Sequence, residues 1–198
     1  MKTLFYIFMS LSLCLKGAFA AVDTQKYENY LNSLKTLSGD FSQSNSQGQT
    51  STGKIQISRP GKMRLTYNPP SNLLIVADGK WLITYDRQAD DVNYVSLENT
   101  PAAFILRPQV RFSGDVAITH IIPKEDNTTE ISLIRRDDPE AGYITLVFED
   151  DPIALKEWSV IDAQGITTRV VLSNVETNIQ LPEGLFHIES PNLIQQIF

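Results

Sequence analysis

The sequence predicts a mainly β protein of the α+β class, one helix followed by a long run of short antiparallel strands. Three observations predict it. Apolar residues fall at Tyr27, Tyr30, Leu31 and Leu34, spacings of three, four and seven that draw one stripe along a helix. From Asp40 onward the period becomes two, as in Ile55-Ile57 and Met63-Leu65-Tyr67. Turn-forming clusters separate these runs, among them Asp78-Gly79-Lys80 and Asp162-Ala163-Gln164-Gly165.

Ahead of the helix lies a leader. Lys2, the uncharged apolar run Leu4 to Leu15, and Ala18-Phe19-Ala20 supply the basic start, apolar core and A-x-A end of a secretory signal peptide. The run is shorter than the ~20 residues that a spanning helix needs. Cleavage is expected after Ala20, making residues 1–20 the signal peptide and 21–198 a single domain. The only cysteine, Cys14, lies in the leader behind Leu13, where a lipoprotein signal requires a small residue. The mature chain then has no thiol, disulfide or cysteine metal site, and its core alone must hold it together.

The helix caps at Asp23 or Thr24 and should stop at Ser38-Gly39. Strands are expected at Asp40–Ser46, Lys54–Arg59, Met63–Tyr67, Leu73–Ala77, Trp81–Tyr85 and Val92–Val95. Beyond the middle they recur at Ala117–Ile122, Glu130–Arg136, Tyr143–Phe148, Leu155–Ile161 and Thr167–Leu172, with a short last piece near Phe186–Ile188. One segment breaks the rhythm. Thr100 as cap, Pro101 in the first turn and Ala102 to Leu106 make a short helix, apolar nearly all round, that must bury itself against a surface.

Charge and side-chain inventory exclude several functions. Of 17 basic and 23 acidic residues the leader holds Lys2 and Lys16, leaving the mature chain at −8. Nucleic acid is thereby excluded as a partner, since phosphate binding needs a basic patch. His120 and His187 have no carboxylate or histidine at metal-ligand spacing, and no nucleophile, phosphate-loop or zinc motif occurs, so no enzyme is expected. Asn127-Thr128-Thr129 is a sequon without evident use.

What is unusual is the amount of apolar surface. Ile55 and Ile57, Met63, Leu65 and Tyr67, and Trp81, Ile83 and Tyr85 suggest one long apolar face. Such a sheet either packs a filled core or curls around a cavity covered by the helices. Arg59 continues the line of Ile55 and Ile57, and either turns outward with the following turn or points inward.

A set of ordered landmarks bears on both options. They begin with Leu37 and Phe41-Ser42-Gln43, Gly53 at a strand start, and Arg59-Pro60-Gly61-Lys62-Met63-Arg64 with Tyr67 and Pro70. Val76-Ala77-Asp78-Gly79-Lys80, Tyr85-Asp86 and Thr100-Pro101 follow, then Asp162-Ala163-Gln164-Gly165 with Thr168, and Phe186 before Pro191. Taken in order behind a signal peptide, they resemble the periplasmic lipoprotein carrier proteins, the LolA family, over almost the whole mature chain.

The resemblance implies an incomplete antiparallel β-barrel of about eleven strands with a helical lid over a hydrophobic cavity. It places acyl chains against Ile55, Ile57, Met63, Leu65, Tyr67, Leu34 and Leu37, beneath a lid helix of Ala102, Phe104, Ile105 and Leu106. Arg59 becomes an inward latch whose donors reach carbonyls near Ile105 and Leu106. The implied cargo is acylated lipoprotein, taken from an inner-membrane lipoprotein-releasing ABC transporter and passed to an outer-membrane lipoprotein receptor. The compartment is the periplasm, the state a monomer, and no cofactor or metal is implied. The family prefers aromatic residues where Met63 and Leu65 stand, though both remain apolar. Other readings of the same features are a carrier of a different lipid or hydrophobic ligand, and an envelope protein-interaction or sensor module.

Overall fold

Hairpins account for nearly every connection. In the computed structural model, which describes residues 22–162 and 165–188, helix α1 (Gln25–Ser33) precedes eleven strands. The first six are β1 (Thr36–Asn45), β2 (Thr50–Ser58), β3 (Lys62–Tyr67), β4 (Leu73–Asp78), β5 (Trp81–Asp86) and β6 (Asp91–Ser96). Helix α2 (Ala102–Leu106) follows. Then come β7 (Val116–Pro123), β8 (Thr128–Arg135), β9 (Gly142–Asp150), β10 (Ile153–Asp162) and β11 (Thr167–Thr177). The expected leader with Cys14, the turn residues Ala163 and Gln164, and Pro191 lie outside the described residues.

All eleven strands form one antiparallel sheet in the order β6-β5-β4-β3-β2-β1-β11-β10-β9-β8-β7. Pairing of β1 with β11 joins two meanders, which leaves β6 and β7 as the edges of an unclosed barrel. The chain passes from one edge to the other only through Leu97 to Asp115, so α2 necessarily lies across the mouth. Curvature has local causes. Register shifts mark bulges beside Gly39 between β1 and β11, at Lys156 on β10 and at Thr119 on β7. A bulge bends and twists its strand.

Register decides which face is inside. Leu37 and Phe41 (β1), Ile55 and Ile57 (β2), Met63 and Leu65 (β3), and Ala77 (β4) lie rung by rung on the concave face. Leu172, Trp158, Leu146 and Ile131 continue it through β11 to β8. Helix α1 packs onto this face, with Tyr27 against Phe148 at 4.8 Å between ring centroids and Leu31 fully buried.

Gly53 shows how tightly one rung is filled. It pairs with both Phe41 and Tyr67, whose rings close over it edge to face, 5.1 Å apart. A Cβ here would lie 2.3 Å from the Thr66 carbonyl oxygen and 2.7 Å from the Phe41 ring. Gly53→Ala is therefore expected to cost about 1–3 kcal/mol through overpacking. Urea unfolding measures it, and an unchanged midpoint would mean the strand yields freely.

Four sequence expectations are corrected. Helix α1 ends at Ser33, and Ser38-Gly39 lies inside β1, because Gly39 faces the bulge at Asn174 and Val175 and does not end a helix. Phe186–Ile188 is not a strand: both sheet edges lie elsewhere, and Phe186 instead packs outside the sheet on Leu74 and Val76. Trp81, Ile83 and Tyr85 face outward, because Ala77 pairs with Leu82 and Val76 with Ile83. Thr100 does not cap α2, since its hydroxyl donates back to Leu97 O at 2.7 Å.

Candidate functional site

At the mouth of the half-barrel apolar side chains border open space. Between α2 and strands β7 to β10 lies a pocket of about 400 Å³, bordered by Phe104, Arg107, Val116, Leu133, Ile144 and Val160 among others. Its size falls in the lower part of the ~300–1,000 Å³ range typical of ligand sites. Phe104 stacks with Phe112 at 6.3 Å, and the Arg107 guanidinium lies 4.6 Å over the Phe104 ring while bonding Asp115 at 3.1 Å. The pocket is thus apolar within, with ion-paired groups at its rim.

The cavity residues expected from the sequence occupy the other half of the interior. Leu34, Leu37, Ile55, Ile57, Met63, Leu65 and Tyr67 all point inward, and none is more than 7% exposed. They pack into one cluster with α1 and α2, and none borders the open pocket. In the lid helix Phe104, Ile105 and Leu106 are buried and Ala102 is half-buried, with Ala103 and Phe104 facing the pocket.

Arg59 sits where β2 gives way to the turn into β3, and its backbone N–H donates to Lys35 O at 2.8 Å. Its guanidinium points inward. Nη2 donates to Arg107 O at 2.7 Å, and Nη1 donates to Leu31 O and, at 3.4 Å, to Leu34 O. The acceptor expected at the end of the lid helix, near Ile105 and Leu106, is the Arg107 carbonyl just after α2, and carbonyls at the end of α1 join it. Orphan carbonyls at both helix ends explain this, since each helix leaves its last C=O groups unpaired and carries partial negative charge there. Leu106 O is taken by Gly61 N at 2.8 Å. Gly61 has φ +81°, and a Cβ would lie 2.9 Å from Gly79 Cα, so glycine is needed there. Burial pulls the Arg59 pKa below its ordinary value, and Nε is buried without a partner.

At the opposite end α1 is pinned to the sheet. Asp150 Oδ1 accepts from Lys26 Nζ at 3.1 Å and from the Tyr27 hydroxyl, and Oδ2 accepts from Thr129 Oγ1 at 2.8 Å. Burial alone would push this carboxyl up, but the bonds from Tyr27, Thr129 and Lys26 together hold it below the usual range. Two further α1 side chains, Asn32 and Glu28, bond the segment after α2. Sequence reasoning missed them, because polar residues four apart on a helix resemble a solvated face.

His120 and His187 are exposed on separate elements, and no group of metal-ligating residues forms among the described residues. A curled open sheet, an apolar interior and a strap tied across its mouth define a carrier for a hydrophobic ligand.

Residues 32–189 match the family described as outer membrane lipoprotein carrier protein LolA, and the chain belongs to that family. Family and fold together support a periplasmic, non-catalytic lipoprotein-carrier function. The chain is 30% identical to the outer-membrane lipoprotein carrier protein of Halorhodospira halophila, over 96% of its own length and 92% of that protein. It is 29% identical to the protein of that description from Bordetella avium, over 91% and 90% of the two chains. A crystal structure of an uncharacterized conserved protein from Thermus thermophilus has the same fold, with TM-score 0.50 at 9% identity over 84% and 92% of the two chains.

Proposed function

We propose that the protein carries acylated lipoproteins across the periplasm, from an inner-membrane lipoprotein-releasing ABC transporter to an outer-membrane lipoprotein receptor. Residues 1–20 are the leader that sends it there. The observation that carries this reading is the closure of an apolar interior by α2, whose buried Phe104, Ile105 and Leu106 make contacts that an acyl chain can replace.

Each acyl methylene removed from water is worth ~0.8 kcal/mol, so a lipoprotein with several chains cannot cross water unaided. A carrier must hide those chains and still give them up. Closure of α2 over the interior competes with cargo and thereby weakens net binding. Chains start in the pocket between α2 and β7–β10. As α2 moves aside they reach the wall formed by Leu34, Leu37, Ile55, Ile57, Met63, Leu65 and Tyr67. Arg59 is the latch of the closed state.

Displacement of a hydrophobic fluorescent probe by a synthetic triacylated lipopeptide tests the site. Val160 lies on the inner face of β10 opposite Ile144 and Thr168, whereas Ser159 faces out with Thr145 and Arg169. Val160→Phe should fill the pocket and weaken binding about tenfold, a loss of ~1.4 kcal/mol. Ser159→Phe should not. Equal effects at both positions would contradict the assigned site.

A further inference from the structure

The chain that follows α2 is an irregular strap of bends that joins it to β7. Val110 and Phe112 point inward, 0% and 4% exposed, while Gln109 and Arg111 face solvent. Each inward residue is held through its main chain by a side chain of α1. Asn32 Oδ1 accepts from Val110 N at 2.8 Å, and Asn32 Nδ2 donates to Val110 O at 2.9 Å. Glu28 Oε1 accepts from Phe112 N at 2.8 Å. A carboxamide presents one acceptor and one donor side by side, the complement of a single residue's N–H and C=O. Residues four apart lie on one helix face, so Asn32 and Glu28 grip the strap together.

We propose that Asn32 and Glu28 form a second latch of the lid, a proposal that rests on the carrier reading above. Arg59 and Gly61 hold the near end at Arg107 and Leu106, and the α1 pair holds the far end at Val110 and Phe112. Helix α1 is the fixed partner, because Tyr27 and Leu31 are fully buried and Asp150 ties its first turn to the sheet. The strap is therefore the part that leaves. A slim ligand fits the pocket of about 400 Å³ with the strap in place, and a triacylated one displaces it. Since the α1 side chains grip main-chain atoms, side-chain changes at exposed strap positions leave the latch working.

The experiment measures binding of a triacylated lipopeptide and of a single-chain fatty acid to wild type, Asn32→Ala, Glu28→Ala, Glu28→Gln and Gln109→Ala. Removing a competitor of the bulky ligand should tighten lipopeptide binding about three- to tenfold in Asn32→Ala and Glu28→Ala, as expected for one or two modest hydrogen bonds. Fatty-acid binding should stay as in wild type. Glu28→Gln, which keeps an acceptor oxygen, should restore the wild-type value, and exposed Gln109→Ala should match it. Lipopeptide affinity unchanged in Asn32→Ala overturns the latch and leaves the carrier reading standing. A wild-type protein that binds no lipopeptide overturns the carrier reading and the latch with it. Hydrogen exchange on wild type covers a variant that fails to fold. The Val110 and Phe112 amides should lose protection on saturation with lipopeptide while the core amide of Ile131 keeps its own, and retained protection at Val110 overturns the proposal.

Discussion

Arg59→Leu is expected to load cargo and then hand it over about ten- to a hundredfold more slowly than wild type. The side chain ties Leu31 and Leu34 at the end of α1 to Arg107 after α2, and in the proposed mechanism this tie holds the lid shut over the interior. A hydrogen bond from a charged donor is worth ~1.5–3 kcal/mol, and the cost of burying the guanidinium offsets part of that sum. A net bias of a few kcal/mol toward the closed, empty state follows, and 1.4 kcal/mol is tenfold in an equilibrium. Leucine removes the bias without stranding a charge among Ile55, Ile57 and Leu106, so the fold should survive. Cargo is then held more tightly and the acceptor must work harder to remove it. The check scores loading from donor membranes separately from transfer to the receptor. Wild-type transfer, or poor loading by a folded variant, would show that Arg59 is an ordinary strand-end arginine.

Asp150→Ala is expected to cost about 3 kcal/mol of stability, mostly from the two buried hydroxyls it leaves unpaired, because the partly exposed ion pair with Lys26 adds little. The substitution leaves the buried Tyr27 hydroxyl and Thr129 without their acceptor. Burial and Asp150 both push the Tyr27 pKa up, so Tyr27 stays a protonated donor. The sign of the pH dependence follows from Asp150 itself, whose folded pKa is lowered. A depressed carboxyl binds its proton more readily in the unfolded chain, where the pKa is ~3.9. Its contribution is therefore present above that value and lost as pH falls through the lower folded one. Urea melts at neutral pH and near pH 3 should show the gap between wild type and variant shrinking in acid. A gap independent of pH would mean the cluster acts by packing alone.

Strand positions were legible because period-two alternation and Asp-Gly turns are local signals, and each of the eleven strands appears close to its expected place. Facing was less legible. β4 and β5 are apolar on both sides, with Ala77 and Leu82 inside and Val76 and Ile83 outside, and the cover on Leu74 and Val76 comes from Phe186 far along the chain. Alternation shows two faces and does not say which is the interior. Arg59 stood out because it shares a line with Ile55 and Ile57. Its acceptors did not, since a carbonyl oxygen at a helix end looks alike in every residue. Asn32 and Glu28 were invisible for the complementary reason: their partners are main-chain atoms of Val110 and Phe112, which leave no pattern in the sequence.

The intact mass of the protein purified natively from the cell envelope tests the carrier reading most directly. The expected species is the mature chain plus one acylated lipoprotein, held without a covalent bond and released by detergent or by the receptor. A protein that comes out of the envelope bound to a free lipid or to an unacylated peptide, under conditions that preserve lipoprotein complexes, would contradict it.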